Sequence, residues 1–202
     1  MTFSRVLRLI VFAFLPLGVG GCRARSNTAD QVRPTYDKES GHLTRLEADA
    51  NGDGKIDTWG YMDGMRVVRV EIDENGDGRV DRWEFHRGQG APADRLGQAA
   101  DARPDRTLER VERATRLDGN VSRWEYFDNG LLARVEEDTD GDKAIDKWET
   151  YNAGSLAMMA LDTAHSGKPD RRLIYRPDGS FDRIETDPTG SGTFQPVSVP
   201  RQ

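Results

Sequence analysis

The sequence predicts an all-β protein, an antiparallel array of β-hairpins in units of about 24 residues, and three observations support this. Trp59 and Trp83 are 24 residues apart, and so are Trp124 and Trp148. Apolar and polar residues alternate beside these tryptophans, which is the period-two pattern of a strand. The chain has 21 glycines among 202 residues, and they recur with Asp and Asn between the alternating segments, as hairpin turns require.

The composition limits the classes of function. Hydrophobic residues make up 36% of the chain and charged residues 32%, against roughly 45–50% and about 25% in an average domain, so a large buried enzyme core is not expected. The single cysteine excludes an intrachain disulfide and a zinc site built from cysteines. The net charge of -6 argues against a nucleic-acid partner.

The first 21 residues differ from the rest of the chain. Arg5 and Arg8 precede the uncharged, mostly apolar run 9–19, and two glycines follow it. This order of a basic region, an apolar region and small residues predicts a secretory signal peptide over 1–21. The apolar run is too short, and too interrupted by proline, for a transmembrane helix.

The string LGVGGC, which ends at Cys22, resembles the lipobox of bacterial lipoproteins. The resemblance implies that Cys22 is lipidated, becomes the mature N-terminus and anchors the protein to a membrane of the cell envelope. Arg23 follows it instead of Asp, which by the same resemblance implies the outer membrane, on its periplasmic or surface face, if the host is Gram-negative. The alternative is an ordinary signal peptide with a chance cysteine.

The chain after the signal divides into a tether and a repeat domain. Residues 22–35 comprise the lipidated cysteine and a segment without periodicity, which predicts a flexible tether. Residues 36–202 form the β-hairpin repeat domain. Residues 88–105 interrupt the period with Ala, Gly, Pro and Asp and no apolar pattern, so we expect an exposed loop insertion there.

Each unit of the repeat has room for two short strands and two turns, which gives a meander of about ten strands. Asp57, Trp59 and Tyr61 alternate with other residues in one strand of a unit, and Val70 and Ile72 do so in the next. We expect the aromatic residues to form a ladder on one face, and Arg, Lys and Glu to pair across strands on the other face. The sequence leaves open whether the sheet curls.

The loop at 73–84 has side-chain oxygens at the spacing used for divalent cations. Gly78 stands at position 6, where a sharp bend is needed, and Arg79 at position 7 offers its backbone carbonyl. This arrangement resembles the twelve-residue EF-hand loop, and the resemblance implies a calcium site. The oxygen-bearing residues at positions 1, 3, 5, 9 and 12 are Asp73, Asn75, Asp77, Asp81 and Glu84.

Two further loops follow the pattern with one departure each. In loop 138–149, Lys143 replaces the glycine at position 6, and in loop 49–60, Gly60 replaces the closing glutamate. The segments beside all three loops are too short for independent helices, so the EF-hand resemblance covers the loop and not its surroundings. The candidate ligands are Asp138, Asp140, Asp142, Asp146 and Glu149 in the first of these loops, and Asp49, Asn51, Asp53 and Asp57 in the second.

These observations favour a non-enzymatic, lipid-anchored envelope protein. Its calcium loops would stiffen a β-repeat module that binds a protein or a polysaccharide. Asp, Asn and Gly also suit plain β-turns, so a metal-free adhesion or scaffold repeat is the alternative. A third hypothesis is a carbohydrate-active hydrolase with a carboxylate pair. It is disfavoured because the prominent acids sit in repeated loops, and no Ser-His-Asp, HExxH, P-loop or GxSxG string occurs.

Overall fold

A computed structural model describes residues 32–87, 91–92 and 106–197 of the chain. Within these ranges the regular secondary structure consists of fourteen β-strands, and no helix long and apolar enough to cross a membrane is found there. The strands are β1 Val32–Tyr36, β2 Leu43–Ala48, β3 Thr58–Asp63, β4 Arg66–Ile72, β5 Arg82–His86, β6 Ala91–Pro92, β7 Leu108–Arg113, β8 Arg123–Asp128, β9 Leu131–Glu137, β10 Lys147–Asn152, β11 Ser155–Leu161, β12 Arg171–Tyr175, β13 Phe181–Thr186 and β14 Gln195–Pro196.

The strands form one antiparallel sheet in chain order. Thirteen of them follow the sequence from β1 to β14, and β6 pairs with β4 beside this path. The described strands β1 and β14 lie at opposite ends of the order, so the sheet is open. The predicted all-β array of antiparallel hairpins is therefore confirmed, and the meander is open and not closed into a barrel.

The hairpin turns explain why consecutive strands pair. Asn129 and Gly130 connect β8 to β9 with φ angles of 50° and 79°, the left-handed conformation that asparagine and glycine accept most readily. Next to this turn the register shifts between Tyr126 and Phe127. Equivalent shifts recur in the β3–β4 and β10–β11 hairpins, so the repeat in the sequence is also a repeat in backbone geometry.

One face of the sheet, which we name the aromatic face, combines aromatic and charged residues. Trp59 lies opposite Glu71, and Tyr61 lies opposite Arg69. Directly paired residues point to the same side of a sheet, so the expectation that charged residues occupy the opposite face from the aromatic ones is wrong for these strands. The guanidinium carbon of Arg69 lies 4.1 Å from the ring centre of Tyr61, within range of a cation–π contact. Equivalent contacts join Arg110 to Phe85 at 4.4 Å and Arg134 to Tyr126 at 4.1 Å.

The other face carries buried valines, and we name it the valine face. Val111 and Val135 are 1% and 0% exposed, and each lies opposite glutamates of the neighbouring strands. A small apolar cluster of Leu46, Val67 and Val70 forms the core at the N-terminal end. A single layer buries little apolar surface, which agrees with the low hydrophobic fraction of the chain.

The sheet begins earlier than the sequence indicated. β1 starts at Val32, so residues 32–35 of the segment predicted as tether pair with β2, and Val32 packs against the apolar cluster. Within the predicted insertion 88–105, Ala91 and Pro92 pair with β4. The rest of the insertion, the signal segment and Cys22 lie outside the described residues.

Candidate metal-binding loops

Main-chain hydrogen bonds tie consecutive acidic loops to one another. The amide of Asp73 donates to the carbonyl of Asp57 over 2.9 Å, and the amide of Asp162 donates to the carbonyl of Asp146 over 2.8 Å. Within one loop, the amide of Asp81 closes the loop by donating to the carbonyl of Ile72 over 2.9 Å. The loops therefore stack side by side in chain order and extend the hydrogen-bonding of the sheet.

The aspartate at position 1 organises each loop. In loop 73–84 one carboxylate oxygen of Asp73 accepts the amide of Gly76, and the other accepts the amide of Gly78, both over 2.7 Å. Asp49 and Asp138 accept the corresponding amides in their own loops. A carboxylate oxygen has two lone pairs, so each oxygen of Asp73 keeps one that a cation can use.

Positions 3 and 5 continue the same turn. The side-chain oxygen of Asn75 accepts the amide of Asp77, and the carboxylate of Asp77 accepts the amide of Arg79, both over 2.9 Å. Side chains that bond the backbone two residues ahead bend the chain tightly. The same bonds occur from Asn51 and Asp53 in loop 49–60, and from Asp140 and Asp142 in loop 138–149.

The bend at position 6 is present with and without glycine. Gly78 has a φ of 90°, and Lys143, at the equivalent position, has a φ of 75°. The substitution at Lys143 therefore leaves the bend intact. It places a residue with a Cβ in a conformation that costs about 1 kcal/mol or more.

The aspartate at position 9 distinguishes the loops. Asp81 is 1% exposed, and neither of its carboxylate oxygens has a hydrogen-bond partner. The equivalent Asp57 accepts the amides of Ala50 and Asn51 over 3.0 and 3.1 Å and the hydroxyl of Thr58 over 2.8 Å. A buried carboxylate without partners is costly, and a cation bound in the loop would remove that cost.

Electrostatics at Asp81 point the same way. Burial raises the pKa of its carboxyl group, and the negative charges of Asp77 and Asp73 add to this rise. The backbone amides of Glu74 and Asn75 act in the opposite direction on its pKa, but neither oxygen of Asp81 accepts a hydrogen bond. The charges of Asp73 and Asp77 thus oppose ionisation of Asp81, and a divalent cation bound in the loop would relieve this opposition.

Loop 138–149 brings its acids closest together. Oxygens of Asp138, Asp140 and Asp146 lie within 4.8 Å of one another, and a second group combines Asp140 and Asp142 with His165 of the next loop. Clustered acidic residues that could hold a metal ion are therefore present. In the same loop Asp146 accepts the hydroxyl of Thr139 over 2.8 and 2.9 Å, so this carboxylate has the partner that Asp81 lacks.

The two glutamates at position 12 have partners on the valine face. Glu84 lies opposite Val70 and Val111 and is paired with Arg82. Glu149 accepts hydrogen bonds from Tyr151 over 2.8 Å and lies 2.9 Å from the ammonium of Lys147. Positions 1, 3, 5 and 9 therefore form the candidate site, and both position-12 carboxylates already have counter-charges.

The same ion pairs control how readily these glutamates ionise. Burial opposes ionisation of Glu149, but hydrogen bonds from Lys147 and Tyr151, together with the charges of Lys147 and Arg123, lower the pKa of Glu149. Burial likewise opposes ionisation of Glu84, and the neighbouring imidazole of His86 and the charge of Arg82 lower its pKa. Both carboxylates are thereby held in the charged form on the sheet.

The sequence explains why Asp81 lacks a hydroxyl partner, at loop positions that the calcium-loop motif does not specify. A threonine at position 2 or 10 supplies a hydroxyl to the position-9 aspartate, as Thr139, Thr163 and Thr58 do. Loop 73–84 has Glu74 and Arg82 at these two positions. The missing threonine therefore marks the loop with the unpartnered carboxylate.

No family model matches this chain, and no curated protein sequence matches it.

Proposed function

We propose that this chain is a non-enzymatic, lipid-anchored protein of the cell envelope whose acidic loops bind calcium and stiffen a β-repeat module. The observation that carries the proposal is Asp81, a fully buried carboxylate without a hydrogen-bond partner beside Asp73 and Asp77. Carboxylate, amide and carbonyl oxygens are the ligands that calcium prefers, and it tolerates irregular geometry better than magnesium does.

The mechanism is thermodynamic linkage. Calcium binds the ordered loop and not the unfolded chain, so it stabilises the fold by RT ln(1 + [L]/Kd) for each site. Extracellular modules of this kind bind with Kd values of about 10⁻⁴–10⁻³ M. Because the loops are hydrogen-bonded to one another, a cation in one loop also restrains its neighbours and presents a rigid surface to a protein or polysaccharide partner.

The test is calcium titration by calorimetry, with melting curves in calcium and in chelator. We expect Asp81→Asn to abolish binding at loop 73–84 and to raise the melting temperature in chelator, since it removes a buried unpartnered charge. Asp57→Asn is the matched control, because Asp57 is hydrogen-bonded, and it should lower the melting temperature in chelator. Identical melting curves of the wild type in calcium and chelator would overturn the calcium proposal.

The membrane anchor has a separate test. Cys22→Ala should move the protein from the membrane fraction to the soluble fraction of a bacterial host and abolish incorporation of a labelled fatty acid. An unchanged distribution would contradict the lipidation of Cys22 and leave the calcium proposal standing.

A metal-free adhesion or scaffold repeat is the second candidate, and one observation favours it. The carboxylate of Asp73 already accepts two amides, so it stabilises the turn without any cation. Under this alternative, calcium would leave the melting curve unchanged, and Asp77→Ala would not alter partner binding.

A further inference from the structure

Loop 138–149 receives a guanidinium group from the loop before it. Nη1 of Arg116 donates to the carbonyl of Asp138 over 3.2 Å, and Nη2 lies 3.5 Å from a carboxylate oxygen of the same residue. A Cβ placed on Gly141 would lie 3.3 Å from the guanidinium carbon. The cationic group is therefore in close contact with both the first ligand position and the backbone of the loop.

A second chargeable group comes from the loop that follows. Nδ1 of His165 lies 3.3 Å from a carboxylate oxygen of Asp140, and the two residues group with Asp142. Loop 138–149 is thus flanked by an arginine on one side and a histidine on the other. Around loop 73–84, the next loop contributes the carbonyl of Leu117, which accepts the side-chain amide of Asn75 over 3.3 Å. Arg113 lies 3.2 Å from Glu74 of that loop, which stands at position 2 and not at a ligand position.

These contacts use electron pairs that a metal ion would need. One oxygen of Asp138 accepts both the amide of Lys143 over 3.0 Å and the guanidinium of Arg116, which accounts for its two lone pairs. In Asp73, each oxygen accepts one amide. Asp73 therefore has more capacity for a cation than Asp138 has.

We propose that the guanidinium of Arg116 neutralises part of the carboxylate charge of loop 138–149, as a bound metal ion would. This inference rests on the proposed calcium function and deepens it, because it makes Arg116 the residue that sets the order of filling. Loop 73–84 fills first, and loop 138–149 fills at higher calcium concentration because the metal must compete with a guanidinium for Asp138.

The loop that carries Arg116 is built for this role. Ala114 and Ser122 stand at positions 1 and 9, where other loops have aspartates. The backbone is nevertheless the same, since the amide of Ser122 donates to the carbonyl of Arg113 over 2.9 Å and the amide of Thr115 donates to the hydroxyl of Ser122 over 3.1 Å. The loop has no carboxylate at positions 1 and 9, and it supplies a cation to its neighbour.

The test is a calcium titration monitored by nuclear magnetic resonance. The amide signals of Gly78 and Gly141 report on the two loops separately. We expect Arg116→Met to tighten binding at loop 138–149 by about three- to tenfold, as expected for removal of a half-exposed competing charge. Binding at loop 73–84 should not change. Arg79→Met is the matched control, since it removes the same charge from the other loop and should leave the Gly141 titration unaltered. Equal affinities at Gly141 in the wild type and Arg116→Met would overturn the proposal.

A measurement in chelator separates this proposal from the calcium function. Arg116→Met, Asp138→Asn and the double variant form a thermodynamic cycle of melting temperatures without calcium. If the wild type binds no calcium, the proposed function fails, while a non-additive cycle still supports Arg116 as the counter-charge of Asp138. An additive cycle overturns the role of Arg116 whatever calcium does.

Discussion

At position 6 of the acidic loops, one residue adopts a conformation that its type does not favour. Lys143 has a φ of 75°, where Gly78 of the equivalent loop has 90°. We expect Lys143→Gly to raise the free energy of unfolding by about 0.5–1 kcal/mol, because the relief of strain exceeds the added flexibility of glycine in the unfolded chain. Chemical denaturation in chelator measures this.

The reverse substitution is the control for Lys143→Gly. Gly78→Lys introduces the same strain into loop 73–84 and should lower the free energy of unfolding by about 1–2 kcal/mol. If neither substitution changed stability, the left-handed conformation at this position would carry no energetic cost.

A tyrosine reports on the ion pairs of the valine face. Burial, together with the hydrogen bond to Glu149 and the charge of that residue, raises the pKa of Tyr151 to about 12. In an ultraviolet titration of the native protein we therefore expect one tyrosine to ionise near this pH, and Tyr151→Phe to remove that step. A last step that persisted in Tyr151→Phe would belong to another tyrosine.

At the scale of the residue, the sequence indicated some ligands and not others for a physical reason. Asp73, Asn75 and Asp77 bond amides two to five residues away, so their role follows from local spacing. The partners of Glu84 include residues of its own strand and of neighbouring strands. Asp81 has no hydroxyl partner because positions 2 and 10 of its loop lack threonine. The calcium-loop motif specifies neither the neighbouring strands nor these two positions.

At the scale of the element, strands β8 to β10 share a continuous charge network on the valine face. Arg123 lies 2.8 Å from both Glu125 and Glu137, and Lys147 lies 3.0 Å from Glu137 and 2.9 Å from Glu149. Val135 lies directly between Glu125 and Glu149 and is 0% exposed, so we infer that the aliphatic parts of these side chains cover it. The network therefore shields the valines from water, as a second sheet does in a β-sandwich.

The network makes the stability of these strands depend on pH. The pKa of Glu149 is lowered in the folded protein from an ordinary value of 4.5, so its contribution is complete above about pH 4.5. It is lost as the pH falls through the lowered value. We expect Glu149→Gln to flatten the acid limb of a plot of unfolding free energy against pH. An acid limb as steep as that of the wild type would contradict this role.

Also at the scale of the element, the sequence did not determine which residues of neighbouring strands share a face of the sheet. The structure confirms the predicted strands, but the aromatic residues do not form a continuous ladder, because Glu71 stands between Trp59 and Trp83. Alternation predicts which residues of one strand share a face. It could not show that Arg69 stands beside Tyr61, because that depends on which residues of neighbouring strands are directly opposite. A register one residue away would have placed them on different faces.

At the scale of the whole molecule, the fold was predictable because each unit repeats the same local sequence features. Strand alternation, turn residues and the 24-residue period agree with one another, and such agreement specifies a structure. The edges were less predictable. β1 contains a proline and charged or exposed residues, so it lacks alternation, and it becomes a strand because β2 offers it hydrogen bonds. Proline is acceptable there because β1 is at the edge of the sheet that the described residues form.

An open meander in chain order predicts a gradient of stability. Each interior strand of the described sheet is hydrogen-bonded on both sides, whereas β1 and β14 are bonded on one side. Stability in such arrays is a sum of units and nearest-neighbour contacts, so local opening should begin at the ends and proceed inward. We expect hydrogen exchange measured by mass spectrometry to show the strongest protection in β7 to β10 and the weakest in β14, which has only two residues.

Calcium should change this gradient in one place before the others. Loop 73–84 joins β4 to β5, and its position-9 carboxylate is the one without partners. A cation there stabilises that unit most and the hydrogen-bonded neighbouring loops less, so protection should rise first in β4 and β5 and only at higher calcium concentration in β9 and β10. A uniform rise across all strands would mean that the sheet opens as a single cooperative unit. The description of its stability as a sum of units and nearest-neighbour contacts would then be wrong. A local rise would instead show that each loop sets the stability of its own hairpin.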